Sequence, residues 1–88
     1  MSELIDACNQ ANTKIALKLI ENKANLDIQN KYGWTALLRS CRNNNTEITL
    51  KLIENKVNFD LQNNWGWTAL MWSCNNNIEI ISVLLEFL

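Results

Sequence analysis

The sequence predicts an all-α repeat solenoid, in which short helix-turn-helix units stack side by side and are joined by β-hairpin-like turns. Two observations carry this. Residues 15–30 read IALKLIENKANLDIQN and return at 48–63 as ITLKLIENKVNFDLQN, with twelve of sixteen positions identical at a shift of 33. Residues 33–41, GWTALLRSC, return at the same shift as GWTALMWSC. A fixed period of about 20–50 residues marks an array of stacked supersecondary units. A pair of short helices cannot bury its apolar stripe alone, so each unit leans on its neighbour and stability sums over adjacent interfaces.

The unit is clearest in its middle copy. DIQNKYGW holds an Asn-Lys-Tyr-Gly cluster, a turn with Gly33 at positive φ. Thr35 follows as the N-cap of a first helix over 36–43. Leu37 and Cys41 lie four apart and share one face, with Ser40 beside them. The run Asn43-Asn44-Asn45 ends that helix, because Asn tolerates the left-handed conformation. A second helix spans 46–55, where Thr46 and Glu47 suit an N-terminus and Ile48, Leu52 and Ile53 form the stripe. In the third copy Thr68 is the cap, Leu70 and Cys74 the buried face, and Ile80, Ile81, Leu84 and Leu85 the stripe. Its inter-helix loop is one residue shorter. The first copy lacks the turn and opens directly on a helix pair carrying Leu4, Ala7 and Cys8, then Ile15, Leu19 and Ile20. The chain is thus expected to be a single domain over 1–88: an opening helix pair at 1–26, a repeat at 27–59 and a C-terminal repeat at 60–88.

Composition excludes several classes of function. Net charge is −1, which gives no broad attraction to nucleic acid or an anionic membrane. No apolar run is long enough to span a bilayer, and the acidic N-terminus lacks a basic signal region. With no histidine, His-based triads, general bases and metal sites are absent. Two glycines 33 apart make no phosphate loop, and Asp27 and Asp60 are turn acids expected to bond backbone. No enzyme activity, cofactor or metal is expected. Cys8, Cys41 and Cys74 recur every 33 residues. Stacked helices lie about 8–10 Å apart, too far for a disulfide, which needs Cα atoms within about 7 Å. These thiols read as small buried apolar residues, and unpaired thiols favour a reducing compartment. The expected location is intracellular and cytoplasmic, with the nucleus also open.

The residues GWTAL at 33–37 and 66–70 resemble the ankyrin repeat. So do Glu47-Ile48 with Leu52-Ile53, and Glu79-Ile80-Ile81 with Leu84-Leu85. The likeness runs over essentially the whole chain. The family's proline is Ala36 and Ala69 here, and its histidine is Leu38 and Met71. That histidine ties adjacent turns by hydrogen bonds, so the resemblance implies a softer array than a consensus one. Asn44 replaces the glycine after the first helix. Lys23 and Lys56 replace the one after the second, where the preceding Asn22 and Asn55 are candidates for the left-handed role.

The resemblance implies a protein–protein interaction module whose concave groove of turn tips and first helices holds the partner. By position the tips are Lys31, Tyr32 and Trp34, then Asn64, Trp65 and Trp67. The helix positions are Arg39, Arg42 and Asn43, then Trp72, Asn75 and Asn76. All four tryptophans fall in this set, and Trp, Tyr and Arg dominate many protein interfaces. Trp34 and Trp67 could instead pack on the neighbouring turn, and an arginine could stack internally on tryptophan. Trp65 and Trp72 match nothing the fold requires, and Trp72, which replaces Arg39, is expected to point into the groove. The alternative is a self-assembling fragment of a longer array. Phe87 and Leu88 provide no polar cap, so a homodimer through the C-terminal helix would cover them.

Overall fold

The computed structural model describes residues 3–22, 25–76 and 78–86, the side chains of 73–78 excepted. Six helices occupy them: α1 Glu3–Asn9, α2 Thr13–Glu21, α3 Ala36–Arg42, α4 Thr46–Glu54, α5 Ala69–Asn76 and α6 Ile78–Glu86. The first helices α1, α3 and α5 pack on one another as one layer. The second helices α2, α4 and α6 form the other, and each pair packs across the layers. Among the described residues there is no strand. The turns are nonetheless hairpin-like: the Gly33 N–H donates to Asn30 O at 2.9 Å and the Asn30 N–H to Trp34 O at 3.0 Å. Gly66, Asn63 and Trp67 repeat the pattern at 2.9 and 3.0 Å. Gly33 and Gly66 have φ of +82° and +81°.

Helix starts are set by oxygen side chains. Thr35 accepts from the Leu38 N–H at 3.1 Å, and Thr68 from that of Met71 at 3.3 Å. The cap of α4 is Asn45 rather than Thr46, and it accepts from the Ile48 N–H at 3.1 Å. Asn12 does the same for α2. An Asn side chain reaches the third N–H as well as Ser or Thr does, and the helix starts at Thr46 as expected.

The run 43–45 is more than a loop. Asn43 donates its amide to Cys8 O at 2.8 Å, Asn44 takes φ +57°, and Asn45 also donates to Thr13 Oγ1 at 2.9 Å. One chain reversal thus ends α3, starts α4 and ties both to the first copy. After α4, Lys56 adopts the left-handed conformation at φ +61°, while Asn55 stays at −88°. The expectation for Asn55 fails because its backbone N–H still bonds back into the last turn of α4, so the chain reverses one residue later. In the first copy Ala11, the counterpart of Asn44 after the first helix, takes φ +55°.

The core runs through both layers. Leu37, Ser40 and Cys41 of α3 and Ile48, Leu52 and Ile53 of α4 are all buried, as their spacing predicts. Two buried hydroxyls satisfy each other: Thr49 Oγ1 donates to Ser40 Oγ at 2.8 Å, and Ser40 donates to Leu37 O at 3.0 Å. Cys8 and Cys41 are buried free thiols pushed up to about 12 by desolvation, a hydrogen bond with Thr49 partly opposing the shift at Cys41. They are inert packing atoms at neutral pH. The side chain of Cys74 lies outside the described residues.

Two expected stripe positions depart from burial. Ile15 is 48% exposed and Leu85 53%. Their equivalents Ile48 and Ile53 are buried. Ile48 faces the preceding copy and Ile53 the following one, so each position is covered only where that neighbour exists within the chain. Phe87 and Leu88 lie outside the described residues.

Adjacent turns are laced without the histidine of the resemblance. Gln29 Nε2 donates to Gln62 O and Gly33 O, both at 2.9 Å. The Asn64 N–H donates to Tyr32 O at 2.9 Å, and its side-chain amide to Lys31 O at 3.1 Å. Asp27 accepts from the Asn58 N–H at 2.8 Å, the backbone role expected of it.

Candidate functional site

The two turns and the helices that follow them place their large side chains on one side of the molecule. Each turn holds its aromatic residues through an asparagine. Asn30 Oδ1 accepts from the Tyr32 and Trp34 N–H groups at 2.9 and 3.0 Å. Asn63 Oδ1 accepts from those of Trp65 and Trp67 at the same distances. The two residues that follow each asparagine in alternation therefore leave the turn in fixed directions.

Those directions build a layered stack. The Arg39 guanidinium carbon sits 4.3 Å over the Trp34 ring. Trp34 stacks on Trp72 with centroids 5.7 Å apart, and Trp72 on Trp67 at 4.4 Å. Arg42 stands 5.9 Å from the Trp34 centroid and 5.8 Å from that of Trp72. Each aromatic pair contributes roughly 0.5–1.5 kcal/mol beyond its buried area, and each partly desolvated cation–π contact about 1 kcal/mol. The stack is built entirely from the chain's own residues. Nearer the tips, Tyr32 and Trp65 pair at 6.1 Å and Lys31 lies 5.1 Å over Tyr32.

A depression of about 290 Å³ opens here, bordered by Arg39 and Arg42 of α3, Trp72 of α5 and the Trp65–Trp67 turn. Trp65 is 65% exposed at its rim. Arg39 is held below the ordinary guanidinium range, first by desolvation and second by the charge of Arg42. Among the described residues neither arginine has a carboxylate partner; the ion pair present, Lys51–Glu54 at 3.9 Å, lies on α4.

The structure thus brings together Trp34, Trp65, Trp67, Trp72, Arg39 and Arg42, with Tyr32 and Lys31 at the tip. Trp34 is buried in the stack, and Trp72 is its centre, reached from the groove but packed on both faces. Asn64 is committed to the preceding turn, and Asn43 to α1. The side chains of Asn75 and Asn76 lie outside the described residues. Sequence reasoning missed Asn63, whose side chain is 5% exposed and lines the depression. Its signal was present: Asn30 and Asn63 are repeat-equivalent and each precedes a turn by one residue, where Asn side chains bond their own backbone.

The comparisons with known proteins agree with this architecture. A family model for ankyrin repeats, in three copies, matches residues 4–87. No curated protein matches the sequence. Among solved structures, the chain is similar to one in the complex of the predatory endopeptidase Bd0816 from Bdellovibrio bacteriovorus with immunity protein Bd3460. The TM-score is 0.84 and the identity 30%, over 98% of this chain and 46% of that one. It is also similar to the human ASB11 ankyrin repeat domain, with a TM-score of 0.87 and 24% identity over 99% of this chain and 40% of that one. It therefore spans less than half of either matched chain. With the period, the capped helix pairs, the laced turns and the family model in agreement along the chain, the protein belongs to the ankyrin-repeat family.

Proposed function

We propose that the chain binds a partner protein through the groove formed by its turn tips and first helices, with no chemical step of its own. Ankyrin repeats are generally protein–protein interaction modules, which sets the class. The observation that carries the groove is the assembly of four tryptophans and two unpaired arginines around one depression, from two different copies. A pre-stacked aromatic surface loses little conformational entropy on binding, and buried Trp and Arg are the usual anchors of binding energy. One of the solved structures that the chain resembles is itself a complex of two proteins. No described helix is long and apolar enough to cross a membrane.

Trp72→Ala is a poor probe, because it removes the middle of the stack. Trp65 and Arg42 are exposed, so the double variant Trp65→Ala/Arg42→Ala should keep its helical circular dichroism. In quantitative affinity capture from the source cell, proteins held by the wild-type chain should fall at least tenfold on the double variant. Equal retention by both baits, with both folded, would place the interface elsewhere.

A further inference from the structure

Among the described residues, three buried side-chain nitrogens have no partner: Arg39 Nε, Asn63 Nδ2 and Trp72 Nε1. All three belong to residues lining the same depression. An unpaired buried donor costs about 1–3 kcal/mol, and such groups are rare enough that each requires a cause. All three are donors, carried by residues that line one depression.

The charge has the same sign. Arg39 and Arg42 flank the depression without a carboxylate among the described residues, and no acid lines it. Their mutual repulsion contributes to holding Arg39 below its ordinary range. An anion seated beside them would reverse that penalty. Glu21, Glu47 and Glu54 lie on the second helices, with Lys51 among them, and none of these acids borders the depression.

We propose that the depression between Arg39, Arg42, Asn63 and the Trp65–Trp67–Trp72 wall receives a side-chain carboxylate from an acidic segment of the partner protein. This rests on the groove being the binding face. Guanidinium groups meet carboxylates in bidentate, charge-assisted pairs. A single-stranded nucleic acid fits less well. Base stacking requires free aromatic faces, and here Trp34, Trp67 and Trp72 stack on one another. Two arginines also make no continuous basic track.

The experiment is a tryptophan-fluorescence titration of the full chain with a capped decapeptide alternating Glu and Leu, its Gln-for-Glu analogue, and a ten-residue oligothymidylate. The acidic peptide should bind at least tenfold more tightly than the Gln analogue, and its affinity should fall as salt rises. Arg42→Gln and Arg39→Lys should keep the wild-type circular dichroism. Arg42→Gln should lose about tenfold in affinity for the acidic peptide, and Arg39→Lys, which retains the charge but loses the fork, should lose less. The proposal is overturned if the Gln analogue binds as well, if Arg42→Gln changes nothing, if the oligothymidylate binds more tightly, or if the acidic peptide fails to bind at millimolar concentration. Its failure is separable from that of the groove reading. A captured partner that depends on Trp65 and Arg42, but whose binding resists salt, removes the carboxylate and keeps the groove.

Discussion

Gly33 and Gly66 show how much a single position depends on its neighbours. Both adopt positive φ, so any side chain at either is strained by roughly 1–2 kcal/mol. Only Gly33 is also pressed by the next turn. A Cβ there would lie 2.8 Å from the Asn64 backbone nitrogen and 2.9 Å from Asn63 Cα, whereas at Gly66 it would meet nothing within 4 Å. Backbone on the far side cannot swing away as a side chain could. Gly66→Ala should therefore cost only the backbone strain, and Gly33→Ala clearly more, with the Asn64–Tyr32 bond displaced. Urea denaturation of the two variants checks this; equal losses would mean that the turns are not in register. The positive φ was legible in each sequence cluster. The difference between the two glycines was not, because it arises from a contact 30 residues away.

At the scale of the element, the helix pairs are punctuated by polar side chains and by left-handed residues. The sequence marks Thr35 and Thr68 as caps, and both act as such. It leaves the end of α4 ambiguous between Asn55 and Lys56, since Asn has the better intrinsic preference. Lys56 takes the position at φ +61° because the Asn55 N–H still bonds back into the last turn of α4. Its side chain is exposed, so nothing but the backbone opposes a change. Lys56→Gly should stabilise the chain by about 0.5–1 kcal/mol, the relief of strain less the added freedom of the unfolded chain. Asn55→Gly, at φ −88°, should instead lose stability, with its side-chain bond to Lys51 O at 2.8 Å. Midpoints in urea at unchanged slope decide between them.

For the whole molecule, burial follows the order of stacking rather than residue type. Ile15 and Ile48 occupy the same place in neighbouring copies, yet among the described residues only Ile48 has a preceding helix pair to cover it. Ile48→Ala should cost about 2–5 kcal/mol, as large-to-small changes in cores do. Ile15→Ala should cost under about 1 kcal/mol. Thermal and urea unfolding of both variants test this, and comparable losses would show that α2 is covered on its outer side in solution. The same reasoning explains why the groove exists as a unit. Trp34 and Arg39 come from the middle copy and Trp67 and Trp72 from the last, and only the stacking of α3 on α5 makes one surface of them.

The sequence by itself determined the repeat of 33, the two helices in each copy, the glycine turns and the apolar positions that face the core. The repeat is read across copies, and the helices and turns from residues within about ten positions of one another, where periodicity and capping chemistry act. The expected groove positions of the aromatic and arginine residues came instead from the resemblance to the ankyrin repeat. Only the tertiary structure decided that Trp72 is clasped between Trp34 and Trp67, that Asn43 and Asn64 are tied to the preceding copy, and that Asn63 lines the depression with an unpaired amide. Those outcomes depend on distances between copies, and a sequence shift of 33 carries no information about how closely two neighbouring turns approach.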